Sequence, residues 1–262
     1  MSDHIRHSRE YEVRFYESDG RGRLLAVHLL GLIEETAASH CDASGLDIHS
    51  LRDRGFGWVL LRGSLHMDRY PRYRERFRVE TWVSWARRIF ATREYRIVSE
   101  KGELLGTARS MWLFYDLLSA KPSAILPLYL DVWKPIIGGP SPFPEEGNDK
   151  LKLSDPGDGA FNFTVRPSEI DTNCHVNNVA YIAWVFDVLP FDMNGELVLR
   201  SLYGRFIKEV LPGETVTASA TVYDSSPDGT RVGLGVFSRD PENNELLSLS
   251  ASADSLWGPE SA

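Results

Sequence analysis

The chain has 262 residues, 42% hydrophobic and 25% charged, with a formal net charge of −8 and two cysteines. That composition is ordinary for a globular protein, and no apolar run approaches the roughly 20 residues a bilayer-spanning helix needs. Cys41 and Cys174 exclude a disulfide framework, and no Cys-x-x-Cys pair suggests a metal centre. The first ten residues lack the apolar core of a signal peptide, so a reduced cytoplasmic setting is expected, with no metal and no cofactor.

In chain order, a short strand is expected up to Val13-Arg14, then a helix carrying Leu24, Leu30 and Ile33 on its apolar face. Strand-like runs follow at Trp58–Tyr70, Arg76–Ala86, Ile89–Glu100 and Leu104–Asp116. Turn signals separate them, and such short connections imply antiparallel neighbours. Pro122–Ile137 is apolar but carries three prolines, which predicts a packed irregular or helical extension. Residues 138–159, rich in Pro, Gly and acidic residues, read as a linker between domains 1–137 and 160–262. The second domain repeats the order, with strand-like runs at Leu197–Val210, Thr215–Asp224, Thr230–Arg239 and Glu245–Trp257.

The two halves match at an offset of 152: Val13-Arg14 pairs with Val165-Arg166, Glu17 with Glu169, Asp19 with Asp171, and Ile33 with Val185. The expected fold is therefore α+β, a tandem of two units, each a long central helix wrapped by an antiparallel sheet. Such a duplication predicts a pseudo-twofold internal dimer whose sheets join side by side, acting as a monomer or as a homodimer.

Charge divides unevenly. Residues 1–138 carry 21 Lys and Arg against 18 Asp and Glu, whereas residues 139–262 carry 8 against 19. Arg69, Arg72, Arg74, Arg76, Arg78, Arg87, Arg88, Arg93 and Arg96 concentrate the positive charge. Arginine at alternate positions is what the solvated face of a half-buried sheet looks like, and equally what a docking face for an acidic partner looks like. The acidic total and the lack of any known binding motif argue against nucleic acid.

The most informative stretch is Asp171-Thr-Asn173-Cys-His175-Val-Asn177-Asn178, directly ahead of a helical run that contains Tyr181 and Trp184. If the segment is extended, Asp171, Asn173 and His175 share one face, and an acid, a carboxamide and an imidazole at a helix entrance make a plausible hydrolytic site. Unpaired backbone N–H groups around Val176, Asn177 and Asn178 are natural donors to a substrate oxyanion. The first half has Asp19-Gly-Arg21-Gly-Arg23 at the matching positions, so only the second can present the set.

These motifs resemble the acyl-acyl carrier protein (acyl-ACP) thioesterases. The family pattern Asp-x-Asn-x-His-Val-Asn-Asn followed by x-x-Tyr-x-x-Trp is met by Asp171 through Trp184. The first half carries family-like segments at Trp58–Arg62, Met67–Pro71 and Val79–Trp82, so the likeness covers roughly residues 8–257. It implies a double hotdog fold and release of free fatty acid from acyl-ACP in fatty acid biosynthesis, with the phosphopantetheine-linked acyl chain as substrate. It also implies a fourth catalytic position, an acid about 34 residues after the histidine, which Glu209 fills, while Val210 stands where the family often has cysteine. Glu209 and His175 would then share general-base work on water, Asn173 would orient that water or the substrate, and Asp171 would hold the imidazole or Asn173. Direct nucleophilic attack by Asp171 is the rival chemistry. An acyl-coenzyme A thioesterase, a hotdog hydratase and a non-catalytic acyl-binding protein remain as alternatives. Arg72, Arg74 and Arg76 are the expected carrier-docking residues.

Overall fold

The computed structural model describes residues 6–133, 153, 156, 160–171, 174–189, 197–240 and 245–260. The chain divides into two units between Glu145 and Glu146. The stretch expected to be a linker, 138–159, lies outside the described residues except Leu153 and Pro156, as does the 134–137 end of the proline-containing extension.

In the first unit, strand β1 (His7–Glu12) leads through a 3-10 turn (Phe15–Glu17) into helix α1 (Ala26–Ala43) and a short helix α2 (Ile48–Asp53). Four long strands follow: β2 (Phe56–Met67), β3 (Arg76–Arg87), β4 (Phe90–Ser99) and β5 (Leu104–Asp116). A two-residue strand β6 (Lys121–Pro122) pairs with β5, and helix α3 (Pro127–Trp133) ends the described part. The strands are antiparallel in the order β1-β3-β4-β5-β2. Gly102, with φ +88°, makes the tight turn between β4 and β5 that an L side chain would strain.

Helix α1 lies against β1 and β3. Its buried stripe is Leu29, Ile33, Thr36 and His40, the i, i+4, i+7, i+11 spacing of one helical face. A second apolar cluster gathers Leu51, Val83, Phe114, Tyr129 and Trp133, and Trp58 packs edge-on to Phe114 at 4.8 Å. The proline-containing extension is thus helical where it is described, and its aromatic residues face the sheet's aromatics.

The second unit repeats the design. Strand β7 (Phe161–Thr164) and a 3-10 turn (Pro167–Glu169) precede helix α4 (Asn178–Asp187). Then come β8 (Val198–Phe206), β9 (Thr215–Ser226), β10 (Gly229–Arg239) and β11 (Leu246–Gly258). The antiparallel order is β7-β9-β10-β11-β8, the order of the first unit strand for strand. Helix α4 buries Tyr181, Ile182, Trp184 and Val185. Between it and the sheet lies a small apolar cavity lined by Tyr181, Ile182, Val185, Phe206, Leu234 and Val236. Among the described residues no helix is long and apolar enough to cross a membrane.

The arginine-rich strands are not one solvated face. Arg69 pairs with Glu75, Arg76 with Glu12 and Arg78 with Glu80. Arg93 is buried beneath α1, because it lies opposite Val83 on the side of the sheet that faces the helix. Its guanidinium donates to His40 Nδ1 at 2.8 Å and to Thr81 Oγ1 at 3.2 Å. A guanidinium can only donate, so His40 is held neutral with its proton on Nε2.

Candidate active site

The loop ahead of α4 is closed, not extended. Ile170 and Val176 form an antiparallel bridge, the Asp171 N–H donates to the His175 carbonyl at 2.8 Å, and the Cys174 N–H donates to the Asp171 carbonyl at 3.0 Å. Cys174 takes the left-handed conformation at φ +64° that this reversal requires. Strand alternation therefore does not place Asp171 and His175 on one face, and for these two the expectation of an extended segment is corrected. Asn173 lies outside the described residues. The Asp171 Oδ1 accepts the backbone N–H of His175 at 3.3 Å, so the carboxylate braces the turn that carries the imidazole.

His175 and Glu209, the pair that the family resemblance implies, lie side by side. The His175 Nε2 stands 3.5 Å from Glu209 Oε2, and both side chains are open to solvent, 46% and 63% exposed. That separation is just beyond a good hydrogen bond, and such pairs shorten when substrate excludes water. Glu209 lies past the end of β8, where the Ile207 and Lys208 N–H groups both donate to the Ser250 carbonyl and the chain leaves the ladder. The next residue, Val210, is buried, and its N–H donates to the Tyr181 hydroxyl at 2.8 Å. Burial pushes the Tyr181 hydroxyl up to about 12, and the Glu209 charge pushes the same way, so it stays neutral. Glu214 is a turn residue, its carboxylate accepting the Leu211 N–H at 3.0 Å.

Glu169 fastens the loop to the helix. Its two carboxylate oxygens accept the Arg166 N–H at 2.7 Å and the Trp184 indole N–H at 2.9 Å, while its carbonyl accepts the Asn177 N–H at 2.8 Å. Asn177 caps α4, its Oδ1 accepting the Val179 N–H at 2.6 Å. The Asn177 N–H is therefore committed to Glu169 and does not serve as an oxyanion donor here, which corrects the expectation for that residue. Val176 and Asn178 stand at the same helix entrance, Val176 with its side chain buried.

The first unit carries the same loop bond for bond. Ser18 bridges Leu24, the Asp19 N–H donates to the Arg23 carbonyl, the Gly22 N–H to the Asp19 carbonyl and the Leu25 N–H to the Glu17 carbonyl. Gly22, at φ +74°, occupies the place of Cys174. Where His175 meets Glu209, however, Arg23 folds back onto Asp19 at 2.6 Å, with both side chains largely buried. Tyr70, buried, stands where Glu209 stands in the second unit: both precede matching turns, Arg72 to Glu75 and Leu211 to Glu214. The imidazole–carboxylate pair thus exists in one copy of a backbone built twice.

Glycine at the Gly22 position also predicts a substitution. Replacing Cys174 by glycine is expected to relieve left-handed strain, raising stability by up to about 1 kcal/mol and leaving turnover near wild type, measured by urea unfolding and thiol release. A large loss of activity would give the thiol a role in the reaction.

Two residues were missed from sequence. Tyr181 belongs to the motif, but the bond its hydroxyl accepts from the Val210 N–H is a tertiary contact with no local signature. Glu169 left a signal, since Glu17 repeats it in the other half at the same offset.

A long helix wrapped by a five-stranded antiparallel sheet, built twice in one chain with a polar site at one helix entrance, defines a double hotdog protein. A family model described as the acyl-ACP thioesterase N-terminal domain matches residues 4–133, and one described as the C-terminal domain matches residues 157–246. The chain belongs to the acyl-ACP thioesterase family. It is 27% identical over 252 residues to the palmitoyl-acyl carrier protein thioesterase of Gossypium hirsutum, covering 90% of this chain and 60% of that protein. It is also 27% identical over 205 residues to oleoyl-acyl carrier protein thioesterase 2 of Arabidopsis thaliana, covering 72% and 56%. The chain thus spans about three fifths of the length of these relatives. Its fold matches the 12:0-ACP thioesterase from Umbellularia californica with a TM-score of 0.87 at 22% identity, covering 99% of this chain and 98% of that one. An acyl-ACP thioesterase from Bacteroides thetaiotaomicron matches with a TM-score of 0.82 at 23% identity, over 96% and 97%.

Proposed function

We propose that the chain hydrolyses acyl-ACP thioesters, releasing free fatty acid in fatty acid biosynthesis, with Asp171, Asn173, His175 and Glu209 as the working residues. The observation that carries the reading is the His175–Glu209 pair, present in one copy of the duplicated loop and absent from the other, in a member of this family. In this reading Glu209 accepts the Nε2–H of His175 and leaves Nδ1 free to take a proton from water. The resulting hydroxide adds to the thioester carbonyl carbon, and the tetrahedral oxyanion collapses with cleavage of the carbon–sulfur bond. The departing thiolate takes the proton back from His175. Asp171 holds the His175 backbone, Asn173 orients water or acyl group, and helix-entrance N–H groups at Val176 and Asn178 face the developing oxyanion. Thiolate is already a good leaving group, so the chemistry calls for no metal.

Turnover of palmitoyl carrier protein and palmitoyl-coenzyme A, followed side by side by thiol release, tests this. A higher kcat/KM on the carrier thioester is expected. A higher value on the coenzyme A thioester would move the substrate to coenzyme A, and no thiol from either would overturn hydrolysis.

A further inference from the structure

The two loops share a backbone, so their surfaces can be compared position by position. At the 3-10 turn the second unit shows Pro167 and Ser168, whereas the first shows Phe15 and Tyr16, 80% and 62% exposed. At the facing turn the second has Leu211, Pro212 and Gly213, whereas the first has Arg72, Tyr73 and Arg74. Arg74 holds φ +65° where its counterpart is a glycine at φ +82°, so a long cationic side chain is kept at a position that favours none. Tyr73, 42% exposed, meets Phe15 edge-on at 6.1 Å, and its backbone N–H is tied to the Gly22 carbonyl at 2.7 Å. Arg14 lies over the Tyr16 ring at 5.0 Å and Arg74 over the Tyr73 ring at 5.3 Å. Neither Arg21 nor Arg74 forms a salt bridge with a described carboxylate, unlike Arg69, Arg76 and Arg78.

Three exposed aromatic rings fixed by neighbours, with Arg21 and Arg74 at their rim and Arg74 hydrogen-bonded to Tyr73, make a contact surface with an apolar centre and a cationic edge. Aromatic and arginine side chains are the types that anchor protein interfaces. We propose that Phe15, Tyr16 and Tyr73, with Arg21 and Arg74, form the docking surface for an acidic amphipathic helix of the acyl carrier protein. This rests on the proposed function for the choice of partner, and it replaces Arg76, already bound to Glu12, as a docking residue. Charge decides among occupants. A second copy of the chain would set arginines against arginines. An anionic lipid surface would face a molecule of net charge −8, whereas a single acidic helix meets the patch within the roughly 8 Å over which charge acts at physiological salt.

The test is binding and turnover of Phe15→Ser/Tyr16→Ser/Tyr73→Ser/Arg74→Gly, whose last change copies the counterpart glycine. Carrier protein bearing an amide-linked, non-hydrolysable palmitoyl chain is the binding probe. At least a tenfold weaker Kd and a tenfold higher KM on palmitoyl carrier protein are expected, with kcat and all constants on palmitoyl-coenzyme A unchanged. Unchanged Kd, equal losses on both substrates, or no carrier binding by the wild type would overturn the docking surface. Wild-type binding of the probe without hydrolysis of either thioester would overturn the hydrolase reading and leave docking standing if the variant loses that binding. Binding to phosphatidylglycerol vesicles, or self-association, that the variant abolishes would assign the patch to lipid or to a second copy instead, and would overturn the proposal.

Discussion

Alanine in place of His175 is expected to lower turnover of an acyl carrier thioester by about 10²- to 10⁴-fold, the range a positioned acid–base group supplies. The loss should fall on kcat, because the imidazole is half exposed and its backbone bonds to Asp171 survive the change. Folding is accordingly expected to be unaffected, which circular dichroism and urea unfolding check. Glu209→Ala should cost about 10²-fold, equivalent to about 2.7 kcal/mol, by freeing the imidazole to rotate and leaving its charged form uncompensated. The double variant should be little worse than His175→Ala, since groups that act as one unit do not add. Asp171→Asn keeps an oxygen that can brace the His175 N–H but removes the carboxylate charge from the loop, and a loss of about 10²-fold is expected if that charge serves the reaction. Near-wild-type turnover would reduce Asp171 to a structural brace. Hydrolysis in labelled water under single turnover separates the rival chemistry, since label entering the Asp171 carboxylate would mark it as the nucleophile.

The largest expected effect on stability comes from the copy without the chemistry. Arg23→Ala should destabilise the protein by about 3 kcal/mol, because it strands the Asp19 carboxylate in a mostly buried loop. Replacing both partners, as Asp19→Asn with Arg23→Met, should recover most of that loss, since no charge is then left unpaired. Urea midpoints of the three proteins give the cycle. Burial raises the Asp19 pKa, but hydrogen bonds from the Arg23 and Arg21 backbones and the Arg23 side chain outweigh it and hold the carboxyl below its usual value. Glu17 is depressed in the same balance, against the backbone and side chain of Arg14. A depressed carboxyl contributes stability that is present above its unfolded value, near pH 4, and is lost as the pH falls through the folded value. Wild-type stability should therefore decline below about pH 4, and the Asp19→Asn/Arg23→Met protein should decline less steeply.

The sheets were the more legible part. Leu104–Asp116 is a strand to the residue, its start set by the turn signal at Glu100–Glu103, and the repeat predicted the helix-then-four-strands order of each unit. The run Leu197–Val210 reads as one strand but ends at Phe206, since two successive N–H groups share the Ser250 carbonyl, a tertiary bond with no local signature. Helix α2 was overlooked although Asp47 caps it through the Ser50 N–H, a short pattern easily lost beside a longer helix. At the site, the family resemblance, not the residues alone, pointed from His175 to Glu209, because nothing local links two positions 34 residues apart. The left-handed Cys174 was not visible, because alternation along a sequence says nothing about a chain that reverses within five residues. Arg93 shows the same limit, as composition grouped it with surface arginines and only strand register puts it under the helix.

Glu169 has one further consequence. Its three hydrogen bonds clamp the 3-10 turn, the start of α4 and the Trp184 indole together without using any side chain between positions 171 and 175. Much of the loop's architecture is thus secured from outside the loop, so a side chain such as His175 that takes no part in that bracing can change while the backbone keeps its course. A duplicated gene could lose the reaction in one half by a few substitutions, and recruit that half to a new task, while both halves went on folding as before.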